Sequence, residues 1–294
     1  MIITFDVGGT SIKYGVVDFK GNEIEFLKKS EVDSQAKSFG GVGIVNTLKL
    51  ITHQEMKNYE IEGISISTAG MVDVDNGSII LASNIPGYTG MEVKKLLEEE
   101  FHFPVWVEND VNCAALGETM YGAGKNASSS FMVTIGTGIG GAIVINNEVY
   151  HGFSGIAGEV CFMKIKGTDY QDLCSTTALV KHVEELTGET GLNGRIIFER
   201  AKAGNLLCKE AIEIICSDIV LGLNNCICLV NPEVVILGGG IMAQEEYLRP
   251  IMEKYMEEHV NEVMLKSTKL AFAHLGNAAG MAGAAAFWQS KECK

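Results

Sequence analysis

The sequence predicts an α/β protein built from two related lobes. Residues 2–7 and 11–18 are apolar, strand-like segments separated by a glycine turn, which is the pattern of a β-hairpin. The same pattern returns at residues 132–146, where a second glycine turn separates two apolar segments. Such a repeat indicates an internal duplication. Strand and helix patterns alternate between the two hairpins, which is typical of an α/β lobe.

Apolar periodicity predicts the remaining elements. Short buried strands are expected at residues 61–66, 104–107 and 234–237. Helical spacing covers residues 38–56, 91–101, 176–186, 194–203, 208–230, 245–259 and 276–288. The last helix is rich in Ala and Gly, so we expect it to pack closely against a neighbour.

Composition excludes two classes of protein. The chain has 294 residues, of which 47% are hydrophobic, so it can form one large domain or two modest lobes, and disorder is not expected. Its net charge of -14 argues against a nucleic-acid-binding surface, which needs clustered Lys and Arg. The 34 glycines come with only 4 prolines, so we expect them in tight turns where the backbone meets a ligand.

The sequence predicts a cytoplasmic protein. Asp6 places a charge near the N-terminus, without the basic and apolar regions of a secretion signal. No apolar run approaches the roughly 18 residues that a membrane helix needs. The cysteines are scattered and are interpreted as reduced thiols, with Cys226 and Cys228 as inert thiols rather than metal ligands. The others are Cys113, Cys161, Cys174, Cys208, Cys216 and Cys293.

The first glycine turn has the chemistry of a phosphate-binding loop. Gly8 and Gly9 let backbone amides face a phosphate without a Cβ in the way, and Thr10 offers a hydroxyl. Lys13 can supply positive charge, and Asp6 can orient Mg²⁺ through its water shell. An ordinary hairpin turn is the alternative for this segment taken alone.

Two further glycine clusters repeat this chemistry. The second turn offers Thr134, Gly136, Thr137, Gly138 and Gly140. The third cluster consists of Gly238, Gly239 and Gly240. It follows a buried strand, where open α/β sheets bind ligands, although a closely packed helix N-terminus is the alternative. Neither a P-loop nor a Rossmann GxGxxG occurs, because the glycines of residues 136–141 are followed by a strand-like segment and not by a helix. This argues against both standard alternatives for nucleotide binding.

The ordered motifs of the chain resemble those of the ROK family of sugar kinases, within the actin, hexokinase and Hsp70 superfamily. The matching segments are residues 6–10, 84–87, 108–118, 136–141, 157–159, 238–240 and 275–280. The resemblance implies an actin-like ATPase fold of two lobes with a central cleft. It implies an N-terminal lobe of residues 1–118, joined by a C-terminal helix at 277–294, and a larger nucleotide-binding lobe of residues 119–276.

By the same resemblance, the protein uses ATP and Mg²⁺ to phosphorylate the 6-hydroxyl of a hexose or hexose derivative. Asp110 follows a strand, so its carboxylate is expected to accept the proton of the sugar hydroxyl. Locally, an N-cap of the helix that begins at residue 111 is the alternative. The two phosphate loops and the family match favour catalysis.

The resemblance also implies the sugar contacts. Asn109 and Asp110 are expected to bind sugar hydroxyls, and Glu159 matches a sugar-binding glutamate, with a solvated loop carboxylate as its alternative. Ala69 and Gly70 match a loop whose backbone meets the sugar. Asn84 lies in a further matching loop.

The chain departs from the family pattern at the expected zinc site. Phe162 stands where the family has His, and residues 163–172 contain no cysteine, so we predict no zinc site. Gln171 replaces another glutamate, which puts discrimination at C1 and C2 of the sugar in doubt. Phe162 either packs against an acetamido methyl or an aglycone, which favours N-acetylmannosamine or a β-glucoside over glucose, or fills the volume of the missing zinc cluster.

Two other functions are open. Sugar-responsive repressors of the family carry a helix-turn-helix before the first glycine hairpin, whereas the hairpin here begins at residue 2, and the acidic charge also disfavours a nucleic-acid partner. The second is a sugar-binding protein without catalysis. The presence of Asp6, Asn109 and Asp110 argues against it, because the residues expected to carry the chemistry are all retained. No membrane partner is expected, and a homodimer is expected by analogy.

Overall fold

The computed structural model describes residues 1–292. Cys293, counted above as a reduced thiol, and the end of the helix expected at 277–294 lie outside the described residues. The strands are β1 Ile2–Val7, β2 Ser11–Lys20, β3 Glu23–Asp33, β4 Ile64–Thr68, β5 Met71–Asp73, β6 Ser78–Leu81, β7 Val105–Asn109, β8 Ser129–Ile135, β9 Ile139–Ile145, β10 Glu148–Val149, β11 Lys164–Ile165, β12 Thr168–Asp169, β13 Val234–Gly238 and β14 Lys269–Phe272.

The α-helices agree closely with the apolar periodicity of the sequence. They are α1 Ala36–Glu55, α2 Val93–Phe101, α3 Asp110–Tyr121, α4 Tyr170–Cys174, α5 Thr176–Thr187, α6 Gly194–Lys202, α7 Leu206–Val230, α8 Glu245–His259, α9 Glu262–Ser267 and α10 Ala279–Glu292. The predicted helix at 245–259 matches α8 at both ends.

Residue contacts group the chain into two compact units. The first unit contains Met1–Asn126, Asn147–Ala157 and the described part of Leu275–Lys294. The second unit contains Ala127–Asn146 and Gly158–His274. The lobe expected at residues 119–276 included the segment Asn147–Ala157, which the contacts group with the first unit.

The first unit contains a sheet with the strand order β3-β2-β1-β4-β7. Strand β1 is antiparallel to β2 and parallel to β4, which is in turn parallel to β7. Their register aligns Asp6 with Ser67 and Ser67 with Glu108. Because the carboxyl ends of parallel strands meet at one edge of a sheet, the residues that follow Asp6 and Glu108 share that edge.

The second unit repeats this topology. Its strands follow the order β9-β8-β13-β14, with β8 antiparallel to β9 and parallel to β13, and with β13 parallel to β14. A glycine turn joins β8 to β9, as another joins β1 to β2. Both units therefore contain a hairpin followed by two parallel strands, which is the internal duplication that the sequence predicted.

Helix α10 packs closely against α3, as its Ala and Gly content predicts. A Cβ added at Gly283 would lie 1.7 Å from the carbonyl oxygen of Cys113, so only glycine fits there. A Cβ at Gly280 would lie 2.7 Å from the carboxylate of Asp6. The small residues of α10 thus allow it to pack against both α3 and the end of β1.

Helix α7 corrects one expectation from the sequence. By length and composition it could cross a membrane, since an 18-residue window has a mean hydropathy of 1.7, whereas we expected no apolar run of that length. Of that 18-residue window, 56% is buried within the structure. Ile212, Ile219 and Leu223 of the helix belong to the hydrophobic core of the second unit. Packing on several sides explains why the helix is apolar around most of its circumference.

Candidate active site

Asp110 begins helix α3 at the end of strand β7, and its carboxylate is held by one oxygen. Oδ1 accepts hydrogen bonds from Asn109 Nδ2 at 3.0 Å and from the backbone N–H of Val111 at 2.9 Å. Both of these bonds end on Oδ1, which leaves Oδ2 available to a ligand. The orientation of the carboxylate is therefore fixed before any substrate binds.

Burial, and after it the negative charge of Asp6, raises the pKa of Asp110 to about 7. The hydrogen bonds from Val111 and Asn109 act in the opposite direction, because they favour the ionised form. A carboxylate with a pKa near neutrality is a stronger base than an exposed aspartate while remaining partly ionised at pH 7.

Asn109, rather than Asp110, is the N-cap of α3. Its Oδ1 accepts from the backbone N–H groups of Val111 and Asn112 at 2.9 and 3.1 Å. Its Nδ2 donates to Gly70 O at 2.8 Å as well as to Asp110. The local alternative for Asp110, an N-cap of this helix, is thus filled by its neighbour. The amide of Asn109 is fully engaged with the protein, so its expected contact with the sugar stays a prediction.

Glu108 is a fully buried carboxylate beneath this site that the sequence did not single out. Oε1 accepts from the backbone N–H of Asn109 at 2.7 Å and from Asn112 Nδ2 at 2.9 Å. Oε2 lies 2.5 Å from Nε2 of His151. Both oxygens are therefore paired, and His151, from the segment after β10, was also missed because it lies outside every recognisable motif.

The first glycine turn lies beside Asp6. The hydroxyl of Ser67 donates to Asp6 Oδ1 at 3.1 Å, and Lys13 Nζ lies 3.5 Å from Asp6 Oδ2. Gly8 N–H donates to Ser11 O at 2.9 Å, which closes a tight turn, and Thr10 is exposed. Lys13 is thus paired with Asp6 in the structure, and its contact with phosphate stays a prediction.

The loops expected to meet the sugar pack near this turn. Ala69 N–H donates to Val7 O at 3.1 Å, and Gly70 has φ +107°, a conformation that residues with a Cβ rarely adopt. Asn84 is exposed and precedes the buried Ile85, whose side chain would lie 3.8 Å from a Cβ added at Gly9. The structure therefore brings Asp6, Gly70 and Asp110 together in the first unit, with the loop of Asn84 beside Gly9.

The second glycine turn is tied to the start of α5. Gly136 N–H donates to Gly138 O at 2.9 Å, and Gly136 O accepts from Thr176 N–H at 2.8 Å. The hydroxyl of Thr177 donates to Thr137 O at 2.8 Å. These bonds fix the turn against a helix N-terminus, whose N–H groups favour an anionic ligand. Thr134 and Gly140 lie opposite each other in the hairpin just before and after this turn.

The third glycine cluster packs directly against the second turn. Gly239 has φ +98°, and a Cβ there would lie 2.3 Å from Ile135 O, so this position requires glycine. Gly238 ends strand β13 opposite Thr134, and a Cβ at Gly240 would meet nothing within 4 Å. Close packing thus explains Gly239, while Gly240 faces open space.

A cavity of about 470 Å³ opens beside these turns in the second unit. Three residues expected to bind ATP line it, namely Gly136, Thr137 and Gly240. The other lining residues lie outside the three glycine clusters and are Thr176, Thr177, Val180, Lys181, Glu184, Leu192, Asn193 and Gly194. A helical pattern was visible at residues 176–186, but periodicity does not reveal which helix face borders a cavity.

Glu159, Phe162 and Gln171 belong to the second unit. Gly158, with φ +95°, packs on Gly141 and fixes the backbone before Glu159, whose Oε2 lies 3.6 Å from Cys161 Sγ. Gln171 Oε1 would lie 3.2 Å from a Cβ at Gly138, so this side chain lies against the second glycine turn. The contact with C1 or C2 of a sugar that was expected for Gln171 stays a prediction.

Phe162 is 59% exposed, so it does not fill a vacated core volume. Tyr170, by contrast, is fully buried and donates from its hydroxyl to Ile219 O at 2.8 Å. Lys164 and Asp169 form an ion pair of 2.6 Å across the β11–β12 hairpin. Over residues 1–292, no group of three or more His, Cys, Asp or Glu side chains is arranged to hold a metal ion.

The chain is similar in sequence and in structure to known proteins. A model of the ROK family matches residues 2–291. An uncharacterised protein of Clostridium perfringens is 47% identical over 97% of this chain and 96% of its own length. A β-glucoside kinase of Listeria monocytogenes is 32% identical over 96% of this chain and 95% of its own. The crystal structure of a Streptomyces griseus glucokinase with glucose and AMPPNP superimposes with a TM-score of 0.82, at 27% identity, over 97% of this chain and 98% of that one.

Proposed function

Because this chain belongs to the ROK family and is an ATP-dependent carbohydrate kinase, we propose that it transfers the γ-phosphate of ATP to the 6-hydroxyl of a hexose or hexose derivative. It has the actin-like ATPase fold predicted from the sequence. The observation that carries the proposal is Asp110, held by Oδ1 with Oδ2 available and with a pKa of about 7. A base of this kind accepts the proton of a hydroxyl as the hydroxyl attacks phosphorus.

The residues of the first unit support each step of this reaction. Oδ2 of Asp110 accepts the proton of the sugar hydroxyl. The Asn109 amide donates to both Asp110 and the backbone of Gly70 and so fixes their relative positions. The sugar therefore meets a preorganised surface. We propose that Asn84 and the backbone of Ala69 complete the sugar contacts of this unit. Glu159 is proposed as a sugar contact on the family resemblance alone.

Mg²⁺ fits the oxygen-rich edge beside Asp6. The charge of Asp6 raises the pKa of Asp110, and a divalent cation relieves such repulsion between carboxylates. Asp6 would hold the ion, and Ser67 orients the Asp6 carboxylate. Bound with ATP, Mg²⁺ supplies positive charge against the negative charge that develops on the phosphate oxygens.

The nucleotide is expected in the second unit. The cavity beside the second turn is lined by the apolar side chains of Val180 and Leu192, which suit the face of a purine base. Its threonines and glycine amides suit the phosphates, and the third cluster, residues 238–240, supports the same site.

The exposure of Phe162 favours one class of sugar. A side chain that is 59% exposed and lies three residues from Glu159 is available to an apolar group on the substrate. We therefore propose that the sugar carries an acetamido methyl or an aglycone, as in N-acetylmannosamine or a β-glucoside, in preference to plain glucose. The protein is proposed to act in the cytoplasm, possessing no nucleic-acid or membrane partner, and to form a homodimer.

A coupled assay of ADP release tests the function. N-acetylmannosamine, cellobiose and glucose are compared side by side with purified protein, ATP and Mg²⁺, and sugar binding is followed in parallel by thermal shift. ADP release with at least one sugar is expected. Sugar binding without ADP release from any of them would instead identify a sugar-binding protein that has lost catalysis.

A further inference from the structure

We propose that His151 is a positioning residue for Asp110, acting through the buried carboxylate of Glu108. The inference rests on the proposed function, because it concerns the geometry of the same reaction. His151 comes from the segment Asn147–Ala157, which lies far from the catalytic segment in sequence but in the same compact unit.

A continuous chain of hydrogen bonds joins His151 to the catalytic carboxylate. Nε2 of His151 lies 2.5 Å from Glu108 Oε2, and Glu108 Oε1 accepts from the backbone N–H of Asn109 at 2.7 Å. Asn109 Nδ2 then donates to Asp110 Oδ1 at 3.0 Å. His151 therefore contacts Glu108, and Glu108 belongs to the hydrogen-bond network that fixes the orientation of the Asp110 carboxylate.

Glu108 depends on this histidine for its second oxygen. The carboxylate is fully buried, and Oε1 is already engaged with Asn109 and Asn112. Among residues 1–292, no lysine or arginine forms an ion pair with Glu108. A buried carboxylate oxygen without a donor is unfavourable, so Glu108 would shift if His151 were lost.

The backbone around His151 holds it in place for this contact. His151 O accepts from Ala157 N–H at 3.0 Å, which closes a compact loop over residues 151–157. Gly152 and Gly155, inside the loop, have φ of +70° and +82°. The imidazole is thus presented by a shaped turn, and its side chain is only 26% exposed.

A shift of Glu108 would be transmitted to Asp110 and not to the nucleotide. Glu108 fixes the backbone N–H of Asn109 and the side chain of Asn112, both at the start of α3. Displacement of a catalytic group by about 1 Å can lower a rate about 100-fold. We therefore expect loss of His151 to lower kcat about 100-fold and to leave KM for ATP unchanged.

The test compares His151→Ala, His151→Gln and His151→Asn by steady-state kinetics and thermal unfolding. The amide nitrogen of Gln lies near the position of imidazole Nε2 and can donate to Glu108, whereas Asn is too short. We expect kcat to fall in the Ala and Asn variants and to recover in the Gln variant. The control is His53→Ala, which removes a second His–Glu pair of this unit, where His53 Nε2 lies 2.9 Å from Glu100 Oε1 at the surface. This variant should keep wild-type kinetics.

The outcomes separate this inference from the proposed function. No ADP release from the wild type with any sugar contradicts the proposed function. Normal release from the wild type together with wild-type kcat in folded His151→Ala overturns the role of His151 alone. If His151→Ala does not fold, the two amide variants decide, because equal kcat values for Gln and Asn also overturn it. A lower Tm with unchanged kinetics would indicate a purely structural histidine.

Discussion

The two duplicated units have the same strand topology but opposite chemistry at the corresponding sheet edges. In the first unit, the aligned residues are Asp6, Ser67 and Glu108, and Asp110 follows. In the second unit, Thr134 aligns with Gly238, and no acidic side chain stands in that row. A glycine with φ near +100° follows the central parallel strand in both, namely Gly70 and Gly239.

This difference suits each sheet edge to the ligand that we propose for it. At the first edge, burial and then the negative charge of Asp6 raise the pKa of Asp110, which suits a base and a cation site. The second edge is neutral and opens into a cavity of about 470 Å³, which suits an anionic nucleotide. The strand topology is the same in both units, while acidic side chains stand in the aligned row of the first unit and not in that of the second.

The largest expected effect is the loss of the base. Asp110→Asn keeps the size and the hydrogen bonds of Oδ1 but cannot accept the proton, so we expect kcat to fall about 10³-fold. ATP binding, assigned to the other unit, should be unchanged when measured by calorimetry.

Asp75→Asn, at an exposed aspartate of the same unit, is the control and should behave as wild type. Near-normal turnover in Asp110→Asn would remove Asp110 from its proposed role.

Substitution of Gly70 or Gly239, the glycines that follow the central parallel strands, should give the next largest effect, a rise in KM. Gly239→Ala places a Cβ 2.3 Å from Ile135 O and should raise KM for ATP about tenfold, since a residue forced into this backbone region carries about 1–3 kcal/mol of strain. Gly70→Ala places a Cβ 2.7 Å from Leu81 O and should raise KM for the sugar instead. Steady-state kinetics with each substrate varied in turn measures both.

Gly204→Ala is the matched control for this pair. Its φ of +99° is almost that of Gly239, yet a Cβ there meets nothing within 4 Å, so backbone strain is present without the clash. If Gly70→Ala and Gly239→Ala raise KM for the same substrate, the proposal that the two sheet edges bind different substrates is wrong.

The pH dependence of activity follows from the pKa of Asp110. The ionised carboxylate is the active form, so kcat/KM should fall about tenfold per unit below pH 7 and level off above it. The residual activity of Asp110→Asn should lack this acidic limb. A wild-type profile that is flat from pH 5 to 8 would contradict the assignment.

The same pKa makes a stability prediction of defined sign. Because the pKa of Asp110 is raised above the unfolded value of about 3.9, ionisation opposes folding; this cost is absent below pH 4 and complete above pH 7. Thermal unfolding of Asp110→Asn should therefore show a higher Tm than wild type, with a larger difference at pH 8 than at pH 5.

The smallest effect is expected at the exposed aromatic ring. Phe162→Ala should lower the preference for a substituted sugar over glucose by about tenfold or less, because an apolar contact on a largely exposed ring lies at the lower end of the range of about 1–3 kcal/mol found in enclosed pockets. The ratio of kcat/KM values for N-acetylmannosamine, cellobiose and glucose measures it. Phe39→Ala, which removes a side chain that is 67% exposed, is the control, and an unchanged ratio in Phe162→Ala would exclude Phe162 from the sugar site.

Several elements could not be predicted from the sequence, in each case for a physical reason. Strand β3, Glu23–Asp33, alternates exposed and half-buried residues and contains no fully buried one, so its apolar pattern is weak. The strands β11 and β12 are only two residues long, too short for any periodicity. Thr176 was visible only as part of a helical pattern, although its N–H closes the second glycine turn.

By itself, the sequence determined the α/β class, the duplication and the position of most helices, because periodicity and glycine turns are local signals. The choice of Asp110 as the base rested on the glycine turns and the family resemblance, and it stays a prediction. Only the tertiary structure decided that Asn109 caps α3, that Phe162 is exposed, and that His151 pairs with Glu108. Those facts depend on contacts between residues distant in sequence, or on which of two adjacent polar side chains accepts the capping hydrogen bond. Local pattern carries no information on either.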